Sequence, residues 1–265
     1  MEFTQIIGYI LAVLVGITLG LIGSGGSILS VPILVYVINI EPVLATAYSL
    51  FIVGMTALVG GIQKAKQKLV DFKKVVLFGI PTLIAVFVTR RFLVPVIPDI
   101  IFSFENITLY KSILIMLVFA FAMIFASIRM IKPIQESDSD NHQPINYFKI
   151  ILNGLFIGLV AGFVGAGGGF LIIPALLFLA KTPMKIAVGT SLFIVAIQSL
   201  IGFLGDIRSD QTIDWQFLFV FTSFSIIGIF IGNQLSKVVS SDKLKTGFGW
   251  FVFALGIYII LKELL

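Results

Sequence analysis

Residues 20–32 read GLIGSGGSILSVP and residues 162–174 read GFVGAGGGFLIIP. The two stretches align at a constant offset of 142, glycine on glycine at Gly20/Gly162, Gly23/Gly165, Gly25/Gly167 and Gly26/Gly168, with Pro32 on Pro174. Each sits inside a long apolar run, about Ile6 to Ile38 and about Phe148 to Ala180. A glycine in a helix interior costs about 1 kcal/mol relative to alanine, so a cluster of them marks a break in each run.

The register continues on either side of the motif. Ser49-Leu-Phe-Ile-Val53 is identical to Ser191-Leu-Phe-Ile-Val195 at the same offset, and Asp71-Phe72 matches Asp214-Trp215 one residue further on. So many matches in register identify a duplication, with residues 1–131 as a first transmembrane repeat and 148–265 as a second. The stretch 132–147, KPIQESDSDNHQPINY, is polar and contains proline, and forms the linker between them.

Composition places both repeats in a membrane. The chain is 58% hydrophobic and 12% charged, against about 45–50% and about 25% for a soluble domain. The charges fall in short clusters between apolar runs near 43–62, 72–96, 109–131, 186–204, 217–235 and 244–261. The net charge of +5 comes from residues flanking those runs, which reads as a topology signal and excludes nucleic acid as a partner. There is no cysteine, so disulfides, Fe–S clusters and thiolate metal sites are excluded. No Lys or Arg precedes the first apolar run, which is therefore expected to be a retained span.

Length decides how the broken segment lies. As one helix, its roughly 33 residues would extend about 50 Å, well beyond the about 30 Å hydrocarbon core. A hairpin with an extended Gly23–Gly26 segment fits instead, giving five crossings or partial crossings per half and inverted copies. On that topology 13 of the 18 Lys and Arg residues lie on the cytoplasmic side, whereas parallel copies of four crossings split them 10 against 8. The fold expected is an all-α polytopic membrane protein of two inverted repeats, each with about four long helices and a first segment broken or folded back at the glycine motif.

The motifs that could carry function are the breaks themselves. Backbone groups freed by a break at membrane depth are tolerated only where protein or a wet cavity satisfies them, and the helix that follows aims its N–H groups and positive dipole end inward. That favours an anion, and matched breaks in two halves are the best pointer to a transporter's binding site. The candidate substrate-binding residues are Gly23, Ser24, Gly25, Gly26 and Ser27 in the first half, with Gly165, Gly167, Gly168 and Gly169 in the second. Ser49, Thr190, Ser191 and Gln198 on the following helices join them as hydroxyl and amide donors, together with Thr46 and Tyr48.

The same residues have simpler readings. Gly16, Gly20, Gly158 and Gly162 form small-xxx-small seams that serve helix packing. Ser and Thr hydroxyls can bond back to carbonyls of their own helix. Asp71 and Asp214 precede helices and read as N-caps. Arg90 and Arg91 close a span on the outer side, where they could gather anions at a mouth, although snorkelling at a helix end is the simpler account of them. On this reading the membrane interior holds no fixed charge. No Ser/His/Asp set and no metal-ligand cluster is present, His142 lies in the linker, and neither an enzyme nor a cofactor is expected.

A duplicated Gly-x-Gly-Gly-[Gly/Ser] followed by proline, with Ser-Leu opening the next helix, resembles the TauE/SafE sulfite exporter family over essentially the whole chain. The resemblance implies a plasma-membrane transporter, an exporter, for small sulfur-containing anions such as sulfite or organosulfonates. It marks Gly23, Gly25, Gly26, Pro32 and Ser49, and Gly165, Gly167, Gly168, Pro174 and Ser191. An anion channel and a non-transporting membrane scaffold are the competing expectations.

Overall fold

The fold is a computed structural model that describes residues 3–104, 107–131, 147–207, 213–238 and 241–264. The predicted linker, apart from Tyr147, and His142 within it lie outside the described residues.

The first half begins with α1 (Phe3–Ile22), a 3-10 turn (Gly23–Leu29) and α2 (Ser30–Tyr36). It continues with α3 (Pro42–Lys66) and α4 (Phe72–Val88), which runs on through a π turn (Thr89–Leu93) into α5 (Val94–Val96). An antiparallel hairpin of β1 (Ile100–Phe104) and β2 (Ile107–Tyr110) leads to α6 (Lys111–Ile131). The second half comprises α7 (Tyr147–Val164), α8 (Gly169–Phe178), α9 (Met184–Asp206), α10 (Trp215–Leu235) and α11 (Ser241–Leu264). Six described helices are long and apolar enough to cross a membrane, so the chain is a multi-pass membrane protein.

Two local features depart from the sequence reading. The Gly23–Gly26 segment is not extended but belongs to the 3-10 turn, which rises about 2.0 Å per residue. The hairpin interrupts an otherwise helical fold, because Pro95 and Pro98 stop the preceding helix and both strands are rich in β-branched and aromatic residues.

α2 nevertheless folds back along α1. Gly8, in the second turn of α1, faces the side chain of Ile38 beyond the end of α2, where a straight rod would separate the two by about 45 Å. The second half repeats the arrangement with α8 packed on α7.

α3 and α9 pack together at the centre, and their buried faces include Tyr48, Leu50, Ile52, Val53, Leu192, Ile194 and Val195. The outer helices turn large apolar stripes outward, as on α4 with Phe72, Val76, Ile80, Ile84 and Phe87 at three- and four-residue spacing. Such a stripe is what a lipid-facing surface requires.

Glycines set the direction of each helix pair by showing which backbone they touch. On α3 and α9, Leu50 lies by Gly202, Gly54 by Leu200 and Gly61 by Phe193, so these repeat counterparts run antiparallel. On α6 and α11, Gly249 lies by Met130 and Gly256 by Ala120 and Met123, again antiparallel. By contrast α1 runs parallel to α10, with Gly16 on Ser225 and Gly20 on Asn233. α7 runs parallel to α4, with Gly154 on Pro81 and Gly162 on Thr89. Gly16, Gly20, Gly158 and Gly162 thus serve close helix packing, as the small-xxx-small reading holds.

Asp71 and Asp214 cap α4 and α10. Asp71 Oδ1 accepts from Lys74 N at 3.2 Å and Asp214 Oδ1 from Phe217 N at 2.9 Å. The backbone of each cap is latched to the other half: Asp71 N donates to Thr190 Oγ1 at 3.0 Å, and Asp214 N donates to Tyr48 Oη at 2.7 Å. Tyr48 and Thr190 are counterparts at the 142 offset, so one latch is the repeat image of the other. Replacing either cap, Asp71→Ala or Asp214→Ala, is expected to cost about 0.5–2 kcal/mol. Thermal unfolding in detergent would measure it, with the Asn variants falling closer to wild type.

Candidate functional site

The glycine breaks of the two halves touch. Ser24 Oγ donates to the Gly169 carbonyl at 3.0 Å, and the space a side chain at Gly169 would occupy is filled by Ser24. Gly23, Gly165, Gly167 and Gly168 all have positive φ, between 60° and 75°, the left-handed region that glycine adopts without penalty. The first glycine of each break packs on the other half's central helix: Gly23 against Val188 on α9, and Gly165 against Thr46 on α3. Positions 46 and 188 are again repeat counterparts, and the antiparallel pair places them at opposite ends. The breaks therefore enter the core from opposite ends and meet at Ser24 and Gly169.

A run of hydroxyls ties the first break to α3. Ser27 Oγ donates to Ser24 O at 2.8 Å, Ser30 Oγ donates to Ser27 O at 2.8 Å, and Ser30 and Ser49 share a hydroxyl–hydroxyl bond of 2.5 Å. All four serines are fully buried. In the second half Gln198 Nε2 donates to the Gly167 carbonyl, and Ser199 Oγ lies against Gly167. Gln198 Oε1 and Ser199 Oγ are buried with no hydrogen-bond partner.

The electrostatic centre is an ion pair. Arg90, in the π turn after α4, is 1% exposed, and its Nη1 lies 3.4 Å from Oδ2 of Asp206 at the end of α9. Its Nη2 lies against Gly165, so closely that a Cβ there would collide with it. Among the described residues no group of three or more His, Cys, Asp or Glu is placed to hold a metal ion.

Comparison with known proteins decides the family. The model of the family described as "Sulfite exporter TauE/SafE" matches residues 9–259, nearly the whole chain. The chain belongs to the TauE/SafE family.

A probable membrane transporter protein of Xylella fastidiosa is 30% identical to this TauE/SafE chain over 255 residues, covering 94% of it and 92% of the relative. The probable membrane transporter protein YunE of Bacillus subtilis is 26% identical over 251 residues, covering 87% and 86%. No solved structure matches. The family and these relatives are named as membrane transporters, not enzymes.

Within this TauE/SafE fold the candidate residues from the sequence divide into two groups. Gly23, Ser24, Gly25, Gly26, Ser27, Ser49, Gly165, Gly167, Gly168, Gly169 and Gln198 lie on or beside the two breaks. Thr190 instead accepts the Asp71 N–H, and Ser191 Oγ donates to Val188 O at 2.8 Å within its own helix. Thr46 likewise bonds back to Val43 O at 2.7 Å. The donors of Ser24, Ser27, Thr46 and Ser191 are thus all spent on carbonyls in this conformation.

The reading of Arg90 as a snorkelling residue and of the interior as uncharged is corrected here. Arg90 is turned inward because Gly165 and Gly205, both lacking side chains, clear the space that its long side chain fills. Ser199 follows the candidate Gln198 directly but has no polar repeat counterpart, position 57 being Ala57, and Asp206 closes an otherwise apolar stretch of α9, so neither carried a repeat signal. What could have found Asp206 is the default that an ionisable residue near a span has a partner across the bundle.

Proposed function

We propose that the protein moves small sulfur-containing anions, of the sulfite or organosulfonate type, out across the plasma membrane by alternating access between two inverted repeats. The substrate is held near the midplane, where the breaks meet, by backbone groups of Gly23 to Ser27 and Gly165 to Gly169 with Ser49 and Gln198 alongside. The observation that carries this reading is the Ser24–Gly169 contact, which joins the two breaks inside the core formed by α3 and α9.

The inverted arrangement is supported by helix direction. α3 and α9 oppose each other, as do α6 and α11, while α1 follows α10 and α7 follows α4. Parallel repeats would orient each pair of counterparts alike. Rocking one half against the other about the shared site then exposes it to each side in turn. With the inside negative, the membrane potential itself drives a monoanion outward, at about 2.3 kcal/mol per charge per 100 mV.

Flux in proteoliposomes tests the proposal, with sulfite, a simple alkylsulfonate, thiosulfate and sulfate each supplied with and without a pH gradient. Saturable flux of sulfite or the sulfonate, accelerated by a potential of the right sign, is the expected result. Unitary currents in a planar bilayer would make the protein a channel, and absence of flux for every anion would make it a scaffold; either overturns the reading.

A further inference from the structure

Arg90 heads the fully buried side chains of the described residues by size, and the hydroxyl and backbone site above does not use it. A guanidinium carries five N–H donors in a rigid fork suited to two oxygens of one anion. Here its charge is balanced by Asp206, but at 3.4 Å the contact is longer than the roughly 2.7–2.9 Å of a charge-assisted hydrogen bond. Nε, Nη1 and Nη2 are all buried without a hydrogen-bond partner. Thr89 Oγ1, on the neighbouring residue, is buried and unpartnered as well. Of these donors Nη2 lies beside Gly165, at the mouth of the second break, and Thr89 packs on Gly162 one turn before it.

The repeat supplies a second observation. The counterparts of Asp206 and Arg90, at offsets of 142 and 143, are Lys64 and Asn233. Lys64 is 7% exposed and its Nζ lies 3.5 Å from Ser236 Oγ, while Asn233 Nδ2 donates to Gln63. Asn233 and Gln63 line a cavity of about 290 Å³ with Lys66 and Lys237. A buried cation thus stands at each end of the α3/α9 pair, but the repeat puts a carboxylate beside it only at the Arg90 end. An ion pair required for folding alone would not explain why one end is neutralised and the other borders a cationic cavity.

We propose that Arg90 is the charged half of the oxyanion site and that Asp206 is its internal competitor. Resting on the transport reading above, this names the ligand more narrowly: a small anion presenting two equivalent oxygens to one guanidinium, as a sulfonate or sulfite does. When the anion arrives, its oxygens take Nη1 and Nη2 and the Asp206 carboxylate is displaced. When it leaves, the carboxylate closes on the guanidinium again and seals that end against other ions.

Equilibrium binding of sulfite and methanesulfonate to the purified full-length protein in nanodiscs tests this, with thermal unfolding recorded for every variant. Asp206→Asn is expected to bind either anion about tenfold more tightly, since the competitor is gone. The double variant Arg90→Gln with Asp206→Asn leaves no lone buried charge and so keeps its fold. It is expected to bind at least tenfold more weakly than wild type. Arg90→Lys retains charge without the fork and should fall between the double variant and wild type. The proposal is overturned if the double variant binds as wild type does, or if Asp206→Asn weakens binding in step with its loss of stability. If wild type itself neither binds nor transports any of the anions, the transport reading fails first and this one with it; normal wild-type flux with unchanged double-variant affinity sinks this inference alone.

Discussion

Gly20→Leu is expected to leave the protein unfolded or aggregated when extracted in detergent. A Cβ at Gly20 would lie 2.6 Å from Asn233 N and 2.7 Å from Ile229 O, both backbone atoms of α10. Gly16 meets the backbone of Ser225 in the same way, and from the other side Gly228 and Gly232 meet the backbones of Val13 and Ile17. Overpacking against side chains that can turn aside costs about 1–3 kcal/mol. Here nothing can turn aside, so the helices must separate along the seam and the cost exceeds about 3 kcal/mol. Lipid replaces the lost contacts poorly, since packing of small residues rather than a hydrophobic drive holds membrane helices together. Gly247→Leu is the control, because no atom lies within 4 Å of its Cβ position, and its stability should stay within about 0.5 kcal/mol of wild type. A melting temperature for Gly20→Leu within two or three degrees of wild type would rule out the seam as described.

The same seams explain why much of this architecture could be read from the chain. Gly16 and Gly20 are four residues apart, so periodicity alone puts them on one helix face. Asp71 and Asp214 stand one residue before an apolar run, where a cap is the local solution. The fold-back of α2 follows from a length that one crossing cannot accommodate. All of these depend on residues near one another in the sequence. Arg90 does not. Beside Arg91 at the end of a span it has the local pattern of a snorkelling residue, and its inward turn is decided by Gly165 and Gly205, far along the chain. The hydroxyls show a related limit. The sequence tells which residues carry a proton to donate, but whether Ser191 gives it to a ligand or to Val188 O depends on a rotamer. The β1–β2 hairpin was not legible, because two short strands just after Pro98 give a signal no stronger than a loop.

Gly165→Ala is expected to damage both stability and transport, and far more than its repeat counterpart Gly23→Ala. Both positions have φ near +75°, at 73° and 75°, so an L-residue at either meets the same backbone penalty of about 1–2 kcal/mol. Their surroundings differ. At Gly23 the new methyl would meet Val188 Cγ1 at 2.8 Å, a side-chain atom, and the companion change Val188→Ala would remove that clash. At Gly165 it would meet the Thr46 backbone oxygen at 2.6 Å together with Arg90 Nη2. No substitution at position 46 removes a carbonyl, and displacing the guanidinium disturbs its pairing with Asp206. The first variant should therefore lose about 2 kcal/mol, the backbone penalty plus a smaller clash that Val188→Ala partly relieves. The second should lose at least about 3 kcal/mol, resist rescue by Thr46→Ala, and retain less than a tenth of wild-type anion flux in proteoliposomes at matched protein content. Equal losses at the two glycines, or rescue of Gly165→Ala by Thr46→Ala, would mean that the second break does not bear on Arg90 through the Thr46 backbone.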